Sequence, residues 1–296
     1  MCTVCGCSGE GVAIHGDHSH AEGAPHDHKH PPHNHDHSGC DHHHHEDAAK
    51  TIDFGAGVAG AHAPGQSQSR LIQIEQDILS KNDSIAAANR QRLQELDVLA
   101  INLMSSPGSG KTTLLVESIK ALCDAFPISV IEGDQQTSND AARIRETGVS
   151  AVQVNTGKGC HLDAEMVNSA LDQLDLSPGG ILFIENVGNL VCPASFDLGE
   201  ARRVVLASVT EGEDKPLKYP EMFSTSDAMV VSKTDLLPHL DFNVAELIEN
   251  GQRIRPDLQV MQTNAKTPDG LLPWLDWLRD LRAHVSAQHR SLAAAE

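Results

Sequence analysis

Downstream of about residue 98 the chain alternates between short unbroken apolar runs and longer stretches whose apolar positions recur every three or four residues. The runs are 98–106 (VLAINLMSS), 128–134 (ISVIEGD), 150–156 (SAVQVNT), 179–187 (GGILFIENV), 201–209 (ARRVVLASV), 227–235 (DAMVVSKTD) and 257–265 (DLQVMQTNA). Short, and bounded by Gly, Pro, Asn or Asp, they read as strands. Their continuous apolar character suits parallel strands covered on both faces. Between them the helical spacing predicts helices over 111–123, over 138–147 stopped by Gly148, over 162–174, over 240–254 and, closing the chain, over 270–285. A further helix is predicted over 70–96, ahead of the first strand. The alternation predicts an α/β domain with a mostly parallel sheet flanked by helices. In such sheets ligands gather at the carboxyl ends of the strands.

The first 68 residues break the pattern. They are rich in His, Gly, Asp, Pro and Ser and carry few Leu, Ile, Val or Phe. That is too little apolar surface to offset the entropy of ordering a chain, so disorder is expected there. The chain therefore divides into a cysteine motif at 1–7, a His-rich segment at 8–68, a helical segment at 69–96 and a main domain at 97–290. Formal net charge is −19 with His neutral. The absence of a basic patch speaks against a nucleic-acid partner, and the acidic balance suits a protein that handles cations. No run of 18 apolar residues predicts a membrane span. The N-terminus lacks the basic and apolar regions of a secretory signal. Both point to the cytoplasm, where thiols stay reduced, so the seven cysteines are read as ligands or core residues.

Cys2, Cys5 and Cys7 form C-x-x-C-x-C, with Gly6 letting the backbone fold around an ion. Three thiolates leave room for a fourth donor, for which the α-amino group is a candidate. The alternatives are incidental cysteines in a flexible tail, or a redox pair. Thirteen of the 18 histidines lie between His15 and His45, many as H-x-H or D-H, with Cys40 among them. Neutral imidazoles on flexible backbone make a multi-site sponge for borderline divalent ions, with Ni, Cu and Zn all within reach. Cys160 and His161 follow one predicted strand, and Cys192 lies seven residues past Glu185 at the end of another. If both loops emerge on one sheet edge, two thiolates and an imidazole form a partial site that wants a fourth ligand. The other reading is a buried Cys and a capping His. Cys123, at an apolar helical position, is expected in the core. His62, His239, His284 and His289 are expected at the surface.

The segment 105–112 (SSPGSGKT) fits G-x-x-x-x-G-K-[ST] with Ser105 in place of the first Gly. Gly108, Ser109, Gly110, Lys111, Thr112 and Thr113 are set to hold phosphates. Glycines let backbone N–H groups crowd the phosphate oxygens, Lys111 reaches the outer phosphates, the Thr112 hydroxyl binds Mg²⁺, and the helix N-terminus adds its dipole. Ser232–Asp235 (SKTD) resembles the [NT]-K-x-D guanine signature. There Asp235 can accept from guanine N1–H and the exocyclic amine together, and Lys233 lies against the base. Thr263–Thr267 (TNAKT), with Ala265 and Lys266, resembles the fifth motif of GTPases. Asp134 and Glu185 are placed to serve Mg²⁺, and Gly188 to sense the γ-phosphate; the bland alternative for either carboxylate is a cap or turn. Asn189, not Gln, follows Gly188, which predicts slow intrinsic hydrolysis or help supplied in trans.

Taken together, C-x-x-C-G-C, the His-rich segment, SSPGSGKTT, EGDQQT, GKGCHLDA, ENVGNLVCP, SKTD and NAKT resemble the HypB family of hydrogenase nickel-incorporation GTPases, of the SIMIBI class. The likeness covers roughly residues 70–285 and the first seven. It implies a P-loop GTPase with GTP and Mg²⁺, dimerising through its nucleotide face. It implies delivery of Ni²⁺ to the large subunit of NiFe-hydrogenase, with a HypA-type metallochaperone as partner. It assigns Cys2, Cys5 and Cys7 to a tight nickel site, and Cys160, His161 and Cys192 to a nickel or zinc (Ni²⁺/Zn²⁺) site on the GTPase domain. Two other functions remain in view: a nickel storage or buffering protein whose His tract is the function, and a urease-type nickel-insertion GTPase.

Overall fold

A computed structural model describes residues 58–60, 63–135 and 139–293. The cysteine motif, the tract His15–His45 with Cys40, and His62 lie outside the described residues. Described residues up to Ile72 belong to one compact unit, and those from Gln73 onward to a second.

The elements in chain order are α1 (Gln68–Glu95), β1 (Leu99–Ser105), α2 (Lys111–Leu122), β2 (Ile128–Asp134), α3 (Asn139–Arg145), β3 (Ser150–Asn155), α4 (Ala164–Leu171), β4 (Ile181–Glu185), β5 (Arg202–Ser208), α5 (Lys215–Lys218), α6 (Pro220–Thr225), β6 (Ala228–Ser232), α7 (Val244–Ile254), β7 (Gln259–Gln262) and α8 (Leu272–Ala293). All strand pairs are parallel, in the order β3-β2-β4-β1-β5-β6-β7. The central strands β1, β4 and β6 are buried at every residue, whereas β3 and β7 at the edges are partly exposed. That is why the central strands read as unbroken apolar runs and the edges as weaker ones.

Alternation along β1 divides the core. Leu99, Ile101 and Leu103 pack with α2 and α8, including the fully buried Trp274. Val98, on the turn into β1, and Ala100 pack with α4 and with Leu93 of α1. A third cluster joins Met104, Val205 and Val231 to Met222 and Phe223 of α6 and Leu247 of α7. Within the second unit α1 is stitched to the sheet by polar side chains. Asn89 Nδ2 donates to the carbonyls of Ala164 and Leu198, and Arg90 pairs with Asp197 at 2.6 Å. Gly199 sits at φ +92 where a Cβ would come within 2.7 Å of the Ala86 carbonyl oxygen, so α1 approaches only because that side chain is missing.

The strands fall where the apolar runs predict them, and the helices differ at their ends. The helix expected over 162–174 begins at Ala164, because the Asp163 side chain caps it by accepting from Met166 N. The helix expected over 138–147 is described from Asn139 to Arg145. Helices α5 and α6 were not legible: they are short and each carries Pro in its first turn. Cys123 corrects an expectation. Helix α2 ends at Leu122, and Cys123 at its C-cap is exposed rather than in the core. Among the described residues no helix is long and apolar enough to cross a membrane.

Candidate functional site

The turn from β1 into α2 is built on two left-handed glycines, Gly108 at φ +74 and Gly110 at φ +102. Ser105, the departure from the usual first glycine, has work of its own. Its Oγ accepts from Lys111 Nζ at 2.9 Å and from the Ser109 hydroxyl at 2.5 Å. Lys111 is thereby held back in the loop, and burial pulls its pKa down while Glu185 pulls it up. A buried ammonium held by a neutral hydroxyl is ready to meet an anion.

A cleft of about 580 Å³ opens over this turn, lined by the phosphate loop, Glu132–Gln135, Arg143, Cys160, Glu185–Asn189 and Lys233. On its floor Thr112 Oγ1 donates to Glu185 Oε1 at 2.7 Å. Glu185 Oε2 is buried without a hydrogen-bond partner. Burial pushes the Glu185 carboxyl up, with Lys111 and Thr112 acting against it. Asp134, half-buried, ends β2 beside it. Motif reasoning missed one residue here, Glu132. It lies opposite Glu185 in the β2–β4 register, is 3% exposed, and has an unpartnered Oε2. Burial first, then the charges of Glu185 and Asp134, pushes its carboxyl up to about 8. The signal was present in the sequence as an acidic residue inside the apolar run ISVIEGD.

The base-recognition motifs meet the same edge. Ser232 Oγ donates to the Ser109 carbonyl at 2.7 Å, and Lys233 Nζ to the Gly108 carbonyl at 2.6 Å. A serine in the usual asparagine position thus still ties the base loop to the phosphate loop. Asp235 is paired with Lys266 at 2.6 Å. Lys266 N in turn donates to Asn264 Oδ1, and the neighbouring Ala265 packs on the core.

Cys160, His161 and Cys192 come together, their donor atoms all within 4.8 Å of one another. Strands β3 and β4 flank β2, so the loops after them converge over its end. Gly133 on β2 permits the convergence, since a Cβ there would lie 2.7 Å from Leu162 Cγ. Cys160 Sγ is 3.6 Å from His161 Nδ1. His161 is 8% exposed and tilted against Phe196 with ring centroids 4.1 Å apart. Burial lowers its pKa, which keeps the imidazole neutral and able to ligate. Cys192 opens a short 3-10 turn, Cys192–Ser195. Donors around one tetrahedral ion with metal–sulfur bonds of about 2.3 Å stand roughly 3.5–3.8 Å apart. No separation here has to close by more than about 1 Å on such an ion. Of the histidines expected at the surface, His239 and His284 are exposed and His289 is half-buried.

A phosphate loop joining the first strand of a parallel sheet to its helix, beneath a cleft with buried acidic oxygens, defines a P-loop nucleotide-binding protein. The family described as CobW/HypB/UreG, nucleotide-binding domain matches residues 99–262. The chain is 53% identical to hydrogenase maturation factor HypB of Azotobacter vinelandii, over 100% of this chain and 99% of that protein. It is 56% identical to the HypB of Rhizobium leguminosarum bv. viciae, over 99% and 98%. A crystal structure of HypB from Helicobacter pylori in complex with nickel matches at TM-score 0.65 and 42% identity, covering 69% of this chain and 96% of that one. The chain belongs to the CobW/HypB/UreG family and, within it, to the HypB hydrogenase maturation factors.

Proposed function

We propose that the chain is a GTP-hydrolysing nickel metallochaperone that binds Ni²⁺ and delivers it during maturation of NiFe-hydrogenase, with GTP-dependent dimerisation coupled to metal transfer. The observation that carries this reading is that Cys160 both lines the nucleotide cleft and meets His161 and Cys192 within 4.8 Å. Family membership and the nickel complex of the Helicobacter pylori relative support nickel as the cargo. Zn²⁺ suits the same donors.

The cleft fits Mg²⁺. Thr112, Asp134 and Glu185 offer the hard oxygen donors that ion takes, and Glu185 Oε2 has no competing partner. Bound there, such an ion would supply charge neutralisation for the phosphates. The chain supplies the rest. Backbone N–H groups from Gly108 to Thr113 and the Lys111 ammonium grip the phosphates. Asp235, released from Lys266, accepts from the guanine edge. Gly188 N–H meets the γ-phosphate. Asn189 is engaged with the Cys160 carbonyl at 3.4 Å, which fits slow intrinsic hydrolysis.

Loss of the γ-phosphate then frees the loop that runs from Gly188 to Cys192 and loosens the hold on the cargo. A HypA-type metallochaperone supplies or shares the ion, and the hydrogenase large subunit accepts it, in the cytoplasm. The chain divides its labour: Cys2, Cys5 and Cys7 at 1–7 hold separate nickel, 8–68 buffers it, 69–96 is a helical segment, and 97–290 hydrolyses GTP. The test is Cys192→Ala in a host making NiFe-hydrogenase. GTP hydrolysis by the purified variant should persist while hydrogenase activity, restorable by excess nickel, is lost. Wild-type maturation by this variant without added nickel would overturn the reading.

A further inference from the structure

Two asparagines on the loop after β4 turn their side chains toward the loop after β3. Asn186 is 1% exposed, and its Oδ1 accepts from the backbone N–H groups of Val187 and Leu162, each at 3.0 Å. This pins the residue after His161 to the end of β4. Asn189 reaches in both directions. Its Nδ2 donates to the Cys160 carbonyl at 3.4 Å, and its Oδ1 accepts from Val191 N at 2.8 Å. One side chain therefore holds the backbone of the first thiolate ligand and the backbone beside the second.

The residue before it, Gly188, is packed on the phosphate loop so closely that a Cβ would meet Pro107 at 3.0–3.2 Å. Displacement of Gly188 relative to that loop is passed through one peptide bond to Asn189. The donor atoms of Cys160, His161 and Cys192 lie within 4.8 Å of one another, so closing on one ion takes a shift of no more than about 1 Å. A side chain spanning the two loops controls a shift of that size.

We infer that Asn189 is a positioning residue that passes the nucleotide state sensed at Gly188 to the Cys160–His161–Cys192 donor set. This rests on the proposed coupling of GTP hydrolysis to metal grip. It gives the residue after Gly188 a task in metal handling rather than in aiming the attacking water. It also accounts for the length of the side chain: from this backbone position an asparagine spans the Cys160 carbonyl and Val191 N together.

The test uses the full chain with Cys2→Ala, Cys5→Ala and Cys7→Ala as parent, and the same chain with Cys192→Ala as the blank. Nickel is titrated against a competing chelator with GDP or a non-hydrolysable GTP analogue bound, following nickel–thiolate absorption. A coupled parent shows affinities differing by about tenfold between the two forms, within the usual range for linked sites. Asn189→Ala should bring that ratio to within about threefold of one while both nucleotides bind within about threefold of the parent. Asn189→Asp keeps the acceptor for Val191 and loses the donor to Cys160; it should show the same loss, and it replaces the alanine variant if that chain does not fold. A parent ratio preserved in the variant overturns the role of Asn189. A parent ratio of one overturns the coupling itself, and this role with it.

Discussion

Glu132 makes a measurable demand on the folded chain. Its carboxyl is pushed up to about 8 from an ordinary value of 4.5, chiefly by burial and then by Glu185. The unfolded chain gives up that proton near 4.5 and the folded chain holds it to about 8. Between those values the folded state binds more protons, so its stability falls as pH rises. The contribution is fully present below pH 4.5 and lost by about 8. At 1.36 kcal/mol per pH unit the loss is on the order of 4–5 kcal/mol. Glu132→Gln keeps the shape and removes the titration. Urea unfolding of the full chain, with chelator and without nucleotide, at intervals from pH 5 to 9, measures the gap between variant and wild type. The variant should be within about 1 kcal/mol of wild type at pH 5 and more stable by roughly 4–5 kcal/mol at pH 8.5. Mg²⁺ with GTP should shrink the gap, because a cation favours the charged carboxylate. A gap that does not change with pH would refute the reasoning, and with it the picture of two neighbouring buried carboxylates short of positive charge.

Two other substitutions probe the core and the base site. Trp274 is fully buried, donates to Ser118 Oγ at 2.8 Å and joins α8 to α2; Trp274→Ala should cost about 3–5 kcal/mol in urea unfolding, and a loss below about 1 kcal/mol would contradict that packing role. Asp235→Asn should shift binding from GTP toward XTP in competition assays, since an amide cannot accept both guanine donors; undiminished GTP preference would remove Asp235 from the base site.

The strands were legible because burial on both faces leaves mostly apolar residues to write, as along ILFI of β4 ahead of Glu185. Helix ends were less so. Asp163 looked like part of a helix and is its cap, and Cys123 sat on the apolar stripe but one residue past the end of α2, where the stripe no longer faces the core. The phosphate loop could be read because its chemistry is contiguous. Its Ser105 departs from the usual glycine, and only the geometry reveals a hydroxyl holding Lys111. The thiolate–imidazole cluster left two readings open, because convergence of loops 32 residues apart depends on β3 and β4 both flanking β2 and on Gly133 yielding space to Leu162. Glu132 escaped because no motif names it, although a carboxylate among apolar neighbours is a signal in itself.

The most direct measurement of the central claim is nickel affinity at the Cys160, His161 and Cys192 donors with GDP and with a GTP analogue, followed together with association state. Full-length protein lacking Cys2, Cys5 and Cys7 serves, with the Cys192→Ala counterpart subtracted. The account predicts one ion per chain, absent from the counterpart, held with different affinity in the two nucleotide forms and with dimer favoured by the analogue. Equal affinity in both forms, with the same association state, would contradict it.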